Sequence, residues 1–120
     1  MYKNHDNITH VYCDMPALKT GRQMFYGTSL ISFSGDLSSL TDGYHMFSKG
    51  CRLDSESIIN IVDGINNFAK NNDNSHFIGI GYDSSKVSDT FKNEITHEFN
   101  SKGWDVFWYK DGDLSKFNKN

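Results

Sequence analysis

Cysteine pairing is the first thing this chain lacks. Cys13 and Cys51 have no CxxC spacing, no histidine at metal-ligand spacing and no secretory leader ahead of them. That excludes a disulfide framework and predicts two free thiols in a reducing, cytoplasmic compartment. The histidines, His5, His10, His45, His76 and His97, show no HxxxH-type pairing, and Asp111-Gly112-Asp113 lacks a further ligand at calcium-loop spacing. No metal is expected. Gly79-x-Gly81 has no third glycine and lies within a strand, so no dinucleotide cofactor is expected either. Neither Ser29 nor Cys51 has an identifiable base partner, which leaves no catalytic residue to name and argues against an enzyme. No apolar run approaches the roughly 20 residues that a membrane span needs. Positive charge is scarce as well: 12 lysines and arginines face 15 aspartates and glutamates, for a net charge of −3, and only two arginines occur. A surface of that kind argues against nucleic acid, whose phosphates need a basic face, and suits a basic partner.

What the chain does have is a long patterned stretch near its C-terminus. In His76-Phe77-Ile78-Gly79-Ile80-Gly81-Tyr82, the residues Ile78, Ile80 and Tyr82 share one face, while the other carries little beyond glycine and Phe77. This predicts a strand closely packed by something else. Val87, Phe91, Ile95 and Phe99 then recur every fourth residue up to Gly103, which predicts a helix from about Ser88 to Ser101. Trp104, Val106 and Trp108 alternate with Asp105, Phe107 and Tyr109, predicting a second strand covered on both faces. The unit is a βαβ crossover, right-handed with parallel strands.

Upstream, Ile8 to Cys13 has strand composition, and Met24 to Phe33 reads as β-rich but broken at Gly27. Asp36 to Arg52 is ambiguous between a helical face through Leu37, Leu40, Tyr44 and Phe47 and a turn at Asp42-Gly43 followed by a short strand. Asp54 or Ser55 caps a helix with an apolar stripe of Ile58, Ile61, Val62, Ile65 and Phe68, expected to reach Lys70. The 120 residues therefore read as one α/β domain, a single three-layer unit with a mixed sheet of four or five strands and a C-terminal parallel βαβ unit. Residues 1–7 and 111–120 read as flexible ends.

Two candidate surfaces follow. An anionic ligand, such as a phosphorylated sugar or nucleotide, would seek the helix start after the first crossover strand, at Asp83, Ser84, Ser85 and Ser88. A basic protein partner, such as a toxin or nuclease met by an immunity protein or inhibitor, would meet the acidic groups Asp36, Asp42, Asp105, Asp111 and Asp113, with Tyr44 and Tyr109 as aromatic anchors. The absence of a catalytic set favours the second, a small non-catalytic interaction protein.

Tyr26-Gly27-Thr28-Ser29, the helix after Asp54, Ile80-Gly81-Tyr82-Asp83-Ser84-Ser85, Ser88 and Gly103-Trp104-Asp105-Val106-Phe107 follow one another in the order of pieces seen in the first domain of the α-D-phosphohexomutases. The chain resembles that family, whose domain opens on an FGTSGIRG-like segment and carries a strand ending in GRDTR. Tyr82 and Ser85 stand where the family has both arginines of GRDTR, and the TASHNP serine loop and complete DGDxDR metal loop have no counterpart. The resemblance implies a mixed three-layer fold and not the mutase reaction. The crossover alone is similar to that of ribose-5-phosphate isomerase B.

Overall fold

His76–Tyr82 (β4) and Trp104–Lys110 (β5) are adjacent parallel strands, with Ile78 opposite Val106 and Ile80 opposite Trp108. The structure is a computed structural model that describes residues 3–68 and 76–114 and the backbone of 117–119. Between the two strands runs the helix Asp89–Ser101 (α2), capped by Ser88, whose side chain accepts the Phe91 N–H at 3.1 Å. It ends where Gly103 takes a φ of +87°, a conformation that costs a side-chain-bearing residue about 1–2 kcal/mol. One face of β4 and β5 is packed by helix. Trp108 donates its indole N–H to Thr96 of α2 at 2.9 Å, and Tyr82 meets the ammonium of the buried Lys92 at 2.9 Å. Trp104, Trp108, Ile78, Ile80 and Val106 are essentially sealed from water, each large side chain contributing on the order of 1.5–3 kcal/mol.

The other elements are His10–Tyr12 (β1), Ser32–Ser34 (β2), Gly43–Phe47 (β3), the helix Ser55–Gly64 (α1) and Phe117–Lys119 (β6). They overturn the expected single mixed sheet of four or five strands in one three-layer unit. Strands β1 and β2 form a separate parallel pair, whereas β3, β4 and β5 form a parallel set with β6 antiparallel at its edge. The physical reason is that each sheet is stopped by other groups. On the far side of β2, Ser57 of α1 accepts the Phe33 N–H at 2.9 Å, so a helix side chain stands where another strand would pair. At the outer edge of β3, Gly21, Gln23 and Phe25 donate to the carbonyls of Asp42, Tyr44 and Met46, so a turn-rich stretch occupies that edge. The aromatic rings of Phe25, Phe33 and Phe47 pack together where these pieces meet, with centroids 5.0–5.8 Å apart.

Three further expectations change. Met24 to Phe33 is mostly turn, with Gly27 at φ +80° and only its end pairing in β2. The ambiguous Asp36 to Arg52 resolves with the strand β3 at its centre. The helix after Asp54 stops at Gly64 rather than near Lys70, because Ile65 leaves it in extended conformation to bridge Leu37. Asn66 donates to the Leu37 carbonyl at 3.2 Å and accepts the Trp104 indole N–H at 2.8 Å, so tertiary pairing outbids the helical stripe. The remainder of that predicted helix, 69–70, lies outside the described residues.

Candidate functional site

Alternation along β4 and β5 puts Phe77, Gly79 and Gly81 beside Asp105, Phe107 and Tyr109 on the face away from the helices. The sequence leads one to expect this face to be covered throughout. It is covered only in part. At the C-terminal end of β4 the chain crosses it closely, so that a Cβ on Gly81 would sit 2.3 Å from the Cys51 carbonyl oxygen and 2.6 Å from that of Ser48. Nearer the N-terminal end no helix or strand among the described residues lies over it, and Phe77 stays 37% exposed.

A bulge in β3 builds the pocket on this open part. Gly43 pairs with Ile78 and Phe47 with Ile80, so residues 44–46 stand against Gly79 alone. A regular strand would send Tyr44 and His45 to opposite faces. Here His45 takes a φ of +56°, and the two rings lie side by side with centroids 4.0 Å apart. The extra backbone fills the space above Gly79, where a Cβ would come within 3.2 Å of His45 Cα, His45 N and Tyr109 Cε2. Tyr44, His45, Phe107, Tyr109 and Leu114 enclose an open cavity of about 330 Å³. Tyr44 meets Phe107 edge to face at 6.4 Å, His45 lies 5.7 Å from Tyr109, and Phe77 extends the row 5.7 Å from Phe107.

Polar contacts fix these rings. The Tyr109 hydroxyl lies 3.3 Å from His45 Nδ1. Burial, with the Arg22 guanidinium adding to it, lowers the His45 pKa below the ordinary imidazole range, and burial pushes the Tyr109 phenol up to about 12. Both are therefore uncharged at neutral pH. Cations already sit on neighbouring rings: Arg22 over Tyr44 at 4.8 Å, and Lys3 and Lys49 over Tyr26 at 5.6 and 5.8 Å. Tyr26 in turn meets His45 edge to face at 6.0 Å. Asp42 holds Arg22 at 3.1 Å and accepts the Tyr44 N–H at 3.0 Å.

Of the partner candidates read from sequence, Asp42, Tyr44, Asp105 and Tyr109 thus come together on or beside the open face. Asp36 lies elsewhere, in a shallow acidic hollow with Asp14 and Asp63, and its pKa is lowered by hydrogen bonds from Ser38. Asp111 and Asp113 belong to the turn after β5. Asp111 accepts both the N–H and the hydroxyl of Ser84, at 2.9 and 2.8 Å, and these bonds lower its pKa.

The anion candidates are brought together, but their donors are already used. Asp83 accepts the N–H and hydroxyl of Ser85 at 2.9 and 2.6 Å, which lowers its pKa, and Asp111 takes those of Ser84. Ser88 is spent on the Phe91 cap. Arg52 approaches both carboxylates, 3.4 Å from Asp111 and 3.8 Å from Asp83. An arriving phosphate would have to displace the chain's own carboxylates from the Ser84 and Ser85 amides. In the Tyr26 to Ser29 stretch, Thr28 is buried and donates to the Phe25 carbonyl at 2.7 Å.

Both cysteines are free, Cys13 exposed and Cys51 buried, and burial raises the Cys51 thiol to about 12. No group of three histidine, cysteine, aspartate or glutamate side chains placed to hold a metal occurs among the described residues. Nor is any helix among them long and apolar enough to cross a membrane. Sequence reasoning missed His45, Phe77, Phe107, Arg22 and Tyr26. Phe77 and Phe107 carried a readable signal, since they alternate with the core residues on neighbouring strands. His45 carried none, because its place depends on the bulge. No protein-family model, curated protein or solved structure matches the chain.

Proposed function

We propose that this chain is a small non-catalytic interaction protein that docks a basic protein partner on the open aromatic face of its larger sheet. The supporting observation is the clustering of the half-buried Tyr44 and Phe107 with the exposed Phe77, beside His45 and the buried Tyr109, on a face that no helix or strand among the described residues covers. Aromatic anchors in a partly enclosed pocket are the side chains that dominate protein interfaces. The acidic net charge of −3, with Asp42 and Asp105 on or beside this face, favours a partner of opposite charge. An immunity protein or inhibitor meeting a basic toxin or nuclease has this chemistry.

The test places a photo-crosslinking amino acid at position 77, in cells of the native source, and identifies the protein captured. The purified partner is then bound to chains with and without Phe107→Ala. The reading predicts a protein with a basic contact surface whose binding weakens about tenfold or more on the substitution, as a hot-spot aromatic would give. Capture of an acidic protein, or binding indifferent to Phe107, overturns it.

A further inference from the structure

We infer that the outer edge of β1, His10–Tyr12, is a docking edge for an extended, basic segment of another protein, which adds to the small sheet as a third strand. This edge shares no residue with the aromatic pocket of the larger sheet, and the inference stands apart from the reading of that face.

The pairing shows which backbone groups are open. Ser32 donates its N–H to the Thr9 carbonyl at 3.2 Å, and Cys13 donates to the Ser34 carbonyl at 2.9 Å. In a parallel pair such bonds come from every second residue, so Thr9, Val11 and Cys13 address β2 while the N–H and C=O groups of His10 and Tyr12 point the other way. No hydrogen bond joins those four groups to another described residue. Both residues are exposed, Tyr12 by 67%. Their side chains do not fold over the edge. The Tyr12 hydroxyl is drawn across to Ser32 of β2 at 2.9 Å, and His10 Nδ1 lies 2.9 Å from the hydroxyl of its neighbour Thr9. The far edge of this sheet is closed by Ser57 on the Phe33 N–H, so β1 is its one open edge among the described residues. An open edge of that kind is a template for another strand.

Charge selects the occupant. Tyr12, Ser32 and Ser34 border two adjoining hollows whose linings hold Asp14, Asp36, Asp54, Glu56 and Asp63 and no lysine or arginine. Glu56, Asn60 and Asp63 follow at steps of four and three along α1, so one helical face supplies two of these carboxylates. A second copy of the chain would bring the same five carboxylates and a net charge of −3 to the edge, and like charges oppose that pairing. A strand with lysine or arginine at alternate positions instead sends every second side chain to the face that carries these groups. The edge is thereby closed to self-pairing and open to a basic strand.

The experiment titrates a short peptide of alternating lysine and threonine into isotopically labelled protein and follows the exchange of its amide protons with water. Two comparison peptides isolate the parts of the claim: one of the same sequence with alternate backbone nitrogens methylated, which keeps the charge and loses the donors, and one with glutamate in place of lysine. The inference predicts shifted and slowed His10 and Tyr12 amides with the lysine peptide, no slowing with the methylated peptide and no response to the glutamate peptide. Glu56→Gln combined with Asp63→Asn should weaken the lysine peptide by about two- to tenfold. Both side chains are exposed, and the hydrogen bonds that Asp14, Asp36 and Asp54 accept from Asp36, Ser38 and Ser57 stay in place. Unchanged exchange at His10 and Tyr12, equal slowing by either comparison peptide, or binding indifferent to the double substitution would each overturn the inference. Slowing of the same amides when the protein alone is concentrated would overturn it too, by giving the edge to a second copy.

Discussion

His45 holds the candidate site in its shape, and it is one of four non-glycine residues with a positive φ among the described residues. A φ of +56° on a residue with a side chain brings Cβ near a carbonyl oxygen, at a cost of roughly 1–2 kcal/mol that glycine escapes. Two substitutions isolate this. Both His45→Ala and His45→Gly delete the ring, but the glycine variant should be the more stable by about 1 kcal/mol in denaturant unfolding. The opposite order would mean that position 45 is not left-handed. The ring also makes stability depend on pH. Arg22, Tyr26, Tyr44 and Tyr109 surround it, and burial and Arg22 lower its pKa in the folded state. Below about pH 6.5 the unfolded chain therefore binds this proton more readily than the folded one, so folding loses stability as pH falls. Above that pH both states hold the ring neutral and the effect vanishes. Measured against His45→Asn, which tolerates the same backbone, the wild type should lose ground between pH 7 and pH 5 and hold a constant difference above pH 7. A difference that does not change with pH would remove the burial argument. None of this was legible in the sequence, where His45 is one of five unpaired histidines and only the two-residue bulge makes it distinctive.

Elements differ in how openly the sequence declares them, and the difference follows from where their determinants lie. Helix α2 and its two strands carry theirs locally, in Ser88 as cap, the fourfold spacing of Phe91, Ile95 and Phe99, and Gly103 as terminator. The C-terminal end of α1 carries none, since Ile65 and Asn66 are drawn off by Leu37 and Trp104, residues distant in the chain. Glycines in β4 signalled close packing without saying by what. The structure answers with the His45 backbone over Gly79 and the Phe47 to Cys51 crossing over Gly81. Gly79 should then be intolerant of even one methyl group. In Gly79→Ala the added carbon meets backbone atoms of His45 at 3.2 Å, which cannot swing aside as a side chain does. The expected cost is about 1–3 kcal/mol of stability, with chemical-shift changes concentrated at Tyr44, His45 and Tyr109. A variant as stable as the parent, with those resonances unmoved, would contradict the bulge geometry.

At the scale of the whole molecule, two sheets share one core, and the sequence pointed to one sheet because strand composition does not reveal which edges other groups will take. Ser57 ends one sheet through a single side-chain hydrogen bond, and the Gly21 to Phe25 stretch ends the other through three backbone ones. The same arrangement puts both helices to use in the core and leaves a partly exposed aromatic face bordered by Asp42 and Asp105 and by Arg22. A docking face of that kind should draw a basic partner through long-range attraction, and attraction of that kind is screened by salt. The most direct test is the association rate constant between this chain and its captured partner, measured by stopped flow from about 0.01 M to about 0.15 M salt, where the screening length falls from roughly 30 Å to 8 Å. The account predicts a steep fall in that rate, a further slowing with Asp105→Lys, and a faster dissociation with Phe107→Ala. A rate that ignores salt and Asp105→Lys, with dissociation unchanged by Phe107→Ala, would contradict it.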